Sequence, residues 1–312
     1  MPQVPAPDAE QRRGFLLAAF VYTFWGITPL YWRLLNHVPA QDVVVQRLFW
    51  SAVFIALVTV VRGHFVRAFR LVRERRILGI LITTGLLISF NWGIYIYCVE
   101  SGQLVEASLG YYMTPLVSFA LGMLFFGERL SRLRWIALSL AMVALIYQVS
   151  ALGHFPWISP GLAISFGLYG YFRKLAQIPA LDGLLVETSM LLPFAGAFMI
   201  YRAANGAPPL LSNDLTTDLL LIGTGPLTAI PLAMFAAGAK RVSMATLGFL
   251  QYLTPSITLL LAVFAFGEAF SHVDLFAFGC VWAALVIVAL EGRGSRLFAR
   301  FSAPKPPGET LK

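Results

Sequence analysis

Apolar residues along this chain neither alternate nor recur in narrow helical stripes. They gather in long continuous blocks separated by short polar segments. Ten blocks stand out, at residues 14–32, 43–61, 77–98, 104–126, 133–150, 157–172, 182–201, 217–236, 243–266 and 272–290. At ~1.5 Å of rise per residue, a helix of this size crosses the ~30 Å hydrocarbon core of a bilayer. The pattern therefore predicts an all-α integral membrane protein with ten transmembrane helices. The sixth block is the shortest. Arg12-Arg13 before the first block resembles a signal peptide's basic start. That block is too long for one and no small-x-small cleavage site follows, so it reads as a retained helix. Residues 291–312, with Pro304, Pro306 and Pro307, read as a disordered tail.

Composition supports this reading. Hydrophobic residues make up 58% of the 312 and charged residues only 12%, with a mean hydropathy of +0.76. No soluble core of this size could hold so much apolar surface. The net charge of +8 would suggest nucleic acid in a soluble protein. Here the bases lie in the short loops, so the lipid bilayer is the expected partner and nucleic acid is not. With the N-terminus placed inside, 20 of the 23 Lys and Arg residues fall in inside segments. Arg33 and Arg202 fall outside, and Arg47 lies within a block. That split predicts cytoplasmic N- and C-termini in a bacterial inner membrane. Cys98 and Cys280 lie inside apolar blocks. His37, His64, His154 and His272 are scattered over loops, so neither a metal site nor any other cofactor is expected.

The sequence also resembles itself at an offset of about 140 residues. Pro39-Ala40-Gln41-Asp42 matches Pro179-Ala180-Leu181-Asp182, and Leu81-Ile82-Thr83-Thr84-Gly85 matches Leu221-Ile222-Gly223-Thr224-Gly225. Thr114-Pro115 matches Thr254-Pro255, and Phe126-Gly127-Glu128 matches Phe266-Gly267-Glu268. Each copy holds five blocks, an odd number, so the second must enter the membrane inverted. The expected organisation is a cytoplasmic tail (1–13), a first five-helix repeat (14–150), a second (151–290) and a cytoplasmic tail (291–312). A 5+5 inverted-topology repeat is the architecture of many secondary transporters.

Trp25-Gly26-Ile27-Thr28-Pro29-Leu30-Tyr31-Trp32, Gln46-Arg47 with Trp50-Ser51, Ser108-Leu109-Gly110-Tyr111, Gly225-Pro226-Leu227-Thr228 and Gly248-Phe249-Leu250-Gln251-Tyr252 resemble the RarD permeases. These are EamA-type members of the drug/metabolite transporter superfamily. The resemblance spans about residues 14–290. It implies a ten-helix inverted repeat with a central cavity lined mainly by helices 1, 3, 4, 6, 8 and 9.

Arg47 and Glu187 are the most informative candidates for substrate binding. They sit five residues past the matching Asp in each copy, and a charge at bilayer depth costs about 2.5–3.5 kcal/mol unless it faces water or a partner. Either could serve as a substrate anchor or a proton-linked group; a structural charge satisfied by neighbouring helices is the plainer reading. Trp25, Trp50, Trp92, Tyr95 and Tyr169 could stack on a solute, although most aromatics in a bundle fill its core, and Tyr112 and Tyr252, just before Pro115 and Pro255, suit a cavity wall. Asn91 and Gln251 need hydrogen-bond partners in hydrocarbon, which a neighbouring helix or a ligand can supply. Pro29, Pro115, Pro226, Pro231 and Pro255 are hinge candidates, since each removes a backbone donor and frees a carbonyl. Glu106 and Glu187 leave proton coupling open.

No phosphate-binding loop, nucleophile elbow or zinc-protease motif occurs. The expected function is a secondary transporter that moves a small organic metabolite or drug-like solute by alternating access, with no catalytic residue. The alternative is a membrane protein that binds or processes a lipid-linked headgroup. A sensor would need a larger extramembrane domain than the two tails provide.

Overall fold

A computed structural model describes residues 7–101, 104–206, 214–267 and 271–301. The described residues form helices and turns, with no strand. The helices are α1 (Pro7–Ile27), α2 (Pro29–Arg33), α3 (Ala40–Val61), α4 (Phe65–Arg70), α5 (Arg75–Glu100), α6 (Leu104–Phe126) and α7 (Arg132–Leu152). They continue with α8 (Ile158–Ala176), α9 (Ala180–Ala204), α10 (Leu215–Ala239), α11 (Met244–Gln251), α12 (Leu253–Phe264) and α13 (His272–Phe301).

Local chemistry sets many of the boundaries. The Ser131, Asp214 and Ser243 side chains accept amide hydrogens at the starts of α7, α10 and α11. Gly153 closes α7 in a left-handed conformation that costs glycine nothing. Pro29 divides the first apolar block into α1 and α2. Proline has no N–H to offer Trp25 O, and the Thr28 hydroxyl donates to that carbonyl instead, at 2.7 Å. The ninth block breaks at Tyr252, three residues before Pro255, giving α11 and α12. Pro115, Pro226 and Pro231 lie inside unbroken helices, as does Pro193 of α9.

Nine helical stretches among the described residues are long and apolar enough to cross a membrane. The sixth expected block, 157–172, is not one of the nine. It forms α8, which runs on to Ala176 and buries Ser159, Ser165 and Arg173 against its neighbours. Apolar counting ended this block at 172 because Arg173 and Lys174 follow. The two expected tails also change. α1 starts at Pro7, where Glu10 pairs with Arg241 at 2.5 Å. α13 continues past 290 to Phe301, and Glu291 meets Arg134 at 2.9 Å. Residues 302–312 lie outside the described residues.

The bundle's exterior is apolar. Leu57, Leu86, Leu124, Phe194, Ile200 and Phe264 are each more than 60% exposed. Lipid is the solvent that suits such a surface.

Contacts between helices recur at the offset of the sequence repeat. α3 packs on α9 and α10, and α9 packs on α3 and α5. α1 packs on α10 and on α11–α12, while α8 packs on α5 and α6. Individual contacts match as well. A side chain at Gly26 would collide with Ile257, and one at Gly167 would collide with Val117. The antiparallel pair α3 and α9 is clasped at both ends. Asp42 at the start of α3 accepts from Arg202 at the end of α9, at 2.5 and 3.0 Å. Asp182 at the start of α9 accepts from Arg67 just beyond α3, at 2.8 Å. The end holding Arg67, Arg173, Lys174, Lys240 and Arg241 is called the basic end below.

Candidate functional site: a forked cation between two indoles

Arg47 lies in the second turn of α3, in the half of the bundle away from the basic end. Its Nε donates to Thr228 Oγ1 of α10 at 2.7 Å. The guanidinium carbon stands 4.6 Å from the Trp92 ring centre on α5 and 5.3 Å from that of Trp32 on α2. Such cation–π contacts fix the guanidinium plane and are strengthened by desolvation. The phenols of Tyr95 and Tyr111 lie within electrostatic reach of it, and Tyr111 is 43% exposed. Among the described residues Arg47 has no ion-pair partner. Among the described residues no acceptor is bonded to its Nη nitrogens. Two donors of a fixed fork therefore remain available.

Glu187, the repeat mate of Arg47, has the opposite fate. It is 2% exposed in α9 and does not approach Arg47. Its Oε1 accepts from Arg173 Nη1 at 3.0 Å and from the Thr84 hydroxyl of α5 at 2.5 Å. Arg173, 1% exposed, also donates to Ala180 O at 3.2 Å. Gly183 makes room for the pair, since a Cβ there would stand 2.5 Å from Arg173 Nη1. A parallel remains between the mates: each reaches a threonine in the other half, Arg47 on α10 and Glu187 on α5.

Between these two groups lies a block of interlocked rings from three helices: Tyr22 and Trp25 of α1, Phe166 and Tyr169 of α8, and Phe235 of α10. Neighbouring centroids are 5.6–6.2 Å apart. Tyr169 lies one turn from Arg173, so this edge of the block packs toward the basic end. At that end, Glu128 after α6 accepts from the amides of Met244 and Ala245 at 2.7 and 2.9 Å, covering the start of α11. The Lys174 ammonium donates to Val242 O. A surface recess of about 600 Å³ opens here beside Glu10, Pro179, Lys240 and Arg241. Burial, and then the charges of Arg173 and Arg241, draw the Lys240 ammonium down to about 8.

The other sequence candidates disperse. Asn91 donates to Leu162 O at 3.0 Å and to Ser165 Oγ at 2.9 Å, joining α5 to α8. Tyr112 packs on Phe278 and Tyr252 on the far side of α6. Tyr252 is fully buried at the α11–α12 break, and its hydroxyl donates to Tyr112 O at 3.4 Å. Gln251 is buried in α11. The side chain of Glu106 and the whole of Glu268 lie outside the described residues. Sequence reasoning left Trp32, Tyr111, Thr228 and Arg173 out of the candidate set. Trp32, Tyr111 and Thr228 each lie in a block that resembles the RarD permeases, and that was the available signal.

An all-helical bundle with an apolar exterior and a charged group held among rings inside it defines a multi-pass membrane protein. Its fold matches a solved crystal structure with a TM-score of 0.67, covering 90% of this chain and 97% of that one at 18% identity. The EamA-like transporter family matches residues 12–149. The chain is 41% identical over 285 residues to an uncharacterized transporter of Pseudomonas aeruginosa, covering 91% of this chain and 95% of the relative. It is 37% identical to the protein RarD of Escherichia coli, covering 91% and 96%. It is 39% identical to the uncharacterized transporter YojE of Bacillus subtilis, covering 89% and 94%. The chain belongs to the RarD group of the EamA-like transporters, and its family is one of membrane transporters.

Proposed function

We propose that this protein is a permease of the bacterial inner membrane that moves a small organic solute by alternating access. Its moving parts are two inverted five-helix units, 14–150 and 151–290, with α8 as the sixth of ten spans and both termini cytoplasmic. The observation that carries the reading is Arg47: a cation inside the bundle, held in place by two indoles and a threonine, with its fork uncommitted. A structural arginine in hydrocarbon needs a counter-charge, as Arg173 has in Glu187. Arg47 has none among the described residues, which suits a group whose partner arrives with the solute.

The matched clasps, Asp42–Arg202 and Asp182–Arg67, favour the inverted repeat. They tie the same two helices at opposite faces through matched aspartates, as two units related by a pseudo-two-fold axis would. In this conformation the ring block and the Arg173–Glu187 pair pack toward the basic end, so the solute site belongs to the other half. Trp25 and Tyr169 then act as a barrier, and Pro29 and Pro255, where helices break, are the hinges. Asn91 joins helices. Glu187 is the carboxylate to test for proton coupling; an uptake rate indifferent to an uncoupler excludes that coupling.

The test is thermal unfolding of the purified protein against a panel of metabolites and antibiotics. A ligand at 100 times its Kd stabilises the folded state by about 2.7 kcal/mol. The expected result is a saturable shift that Arg47→Ala removes while the unliganded variant elutes and melts like the parent. A shift that persists in Arg47→Ala places the site elsewhere.

A further inference from the structure

We infer that the solute taken at Arg47 is an organic anion, a carboxylate carried on a flat or ring-bearing apolar body. The inference rests on reading Arg47 as part of the solute site and deepens it by naming the substrate class.

Three observations converge. The first is charge balance. Arg47 has no carboxylate partner among the described residues, and its repeat mate Glu187 is already neutralised by Arg173 on another helix. Judged on the described residues, a cationic solute would add a second uncompensated charge, and a neutral one would leave the first in place. An anion removes it. The second is direction. Thr228 holds Nε and the rings of Trp92 and Trp32 flank the guanidinium carbon, and among the described residues no acceptor meets the two Nη nitrogens. Two parallel N–H donors fixed in one plane fit a carboxylate's two oxygens, a match a lone ammonium cannot make. The third is the approach. Arg33 adjoins Trp32 on α2 and stands over the Phe266 ring at 4.5 Å. It adds positive potential in the half of the bundle that the ring block leaves for the solute, which would draw anions toward Arg47. The walls near the fork are aromatic: Trp32, Trp92, Tyr95 and Tyr111. They provide faces for a ring or short apolar chain behind the carboxylate, at centroid spacings of about 4.5–7 Å.

The experiment uses three probes with the same ring and chain and different charge: 3-phenylpropionate, 3-phenylpropionamide and 3-phenylpropylamine. Each is titrated against the detergent-purified full chain and read by thermal unfolding. The acid is expected to raise the melting temperature saturably, with the amide and the amine at least tenfold weaker. R47Q, which keeps hydrogen-bond donors but loses the charge, should raise the acid's half-saturating concentration tenfold or more. If R47Q does not fold, R47K replaces it; it keeps the charge, loses the fork, and should weaken the acid by roughly tenfold. The proposal is overturned if the amide or amine matches the acid, if the acid binds the variants as it binds the parent, or if none of the three shifts the protein. Proteoliposome uptake separates the two readings. Acid that binds but never crosses would sink the transport reading and leave the anion site standing. Uptake of the amine in preference to the acid would do the reverse.

Discussion

Two repeat-related positions carry opposite charges and lead opposite lives. Glu187 is spent on Arg173 and Thr84 in a dry setting, where losing one partner strands the other. Arg173→Ala or Glu187→Ala should each destabilise the protein by about 3–5 kcal/mol. Arg173→Met with Glu187→Met should recover most of that, since two matched apolar side chains leave no stranded charge. Thermal unfolding of the four proteins in detergent checks this; equal losses in singles and double would refute it. The sequence made Glu187 and Arg47 visible because a charge inside an apolar block is expensive wherever it points. It could not reveal Arg173, since apolar counting stops at the first basic residue and files it under the loop. Trp32, Tyr111 and Thr228 lie in blocks that resemble the RarD permeases, but their residue types did not single them out. Aromatic and hydroxyl side chains are ordinary in membrane helices, and which of them meet depends on how helices far apart in sequence cross.

The elements were mostly legible, because block length and bilayer thickness settle them together. The misses came where helices continue past an apolar block. α1 begins at Pro7 and α13 runs to Phe301, since a helix extends beyond the bilayer when its polar end finds partners such as Arg241 for Glu10. Prolines were a weaker guide. Two of the five hinge candidates fall at breaks and three inside continuous helices, because a missing donor bends or breaks a helix only as the packing around it allows. The start of α11 offers a cleaner test at this scale. Ser243 and Glu128 together accept three of its first amides. Glu128→Ala uncovers two of them and should cost about 1–2 kcal/mol, read as a lower melting temperature. An unchanged melting temperature would mean that water replaces the carboxylate without loss.

At the scale of the molecule, charge placement predicts which face meets the cytoplasm. In a cysteine-free background, Asn36→Cys in the turn after α2 and Gln177→Cys in the turn after α8 place single exposed thiols at opposite ends. A membrane-impermeant maleimide added to intact cells should label position 36 and leave 177 unlabelled until the cells are broken. The reverse pattern would overturn the orientation read from the 20 inside Lys and Arg residues. The matched blocks predict a repeat, and the partners of the two matched aspartates, Arg202 and Arg67, are not legible in them.

The clasps on α3 and α9 have a consequence for inheritance. Each joins an aspartate from one half of the gene to an arginine from the other, so neither half carries a complete set of partners. A fragment ending near residue 153 would bring Asp42 and Arg67 into the membrane with nothing to hold. Its complement would strand Asp182 and Arg202 in the same way. The two pieces can regain their partners only by finding each other, so a gene cut at that turn and expressed as two chains should behave as an obligate heterodimer. Mutations at these four positions should then be tolerated in pairs that span the cut.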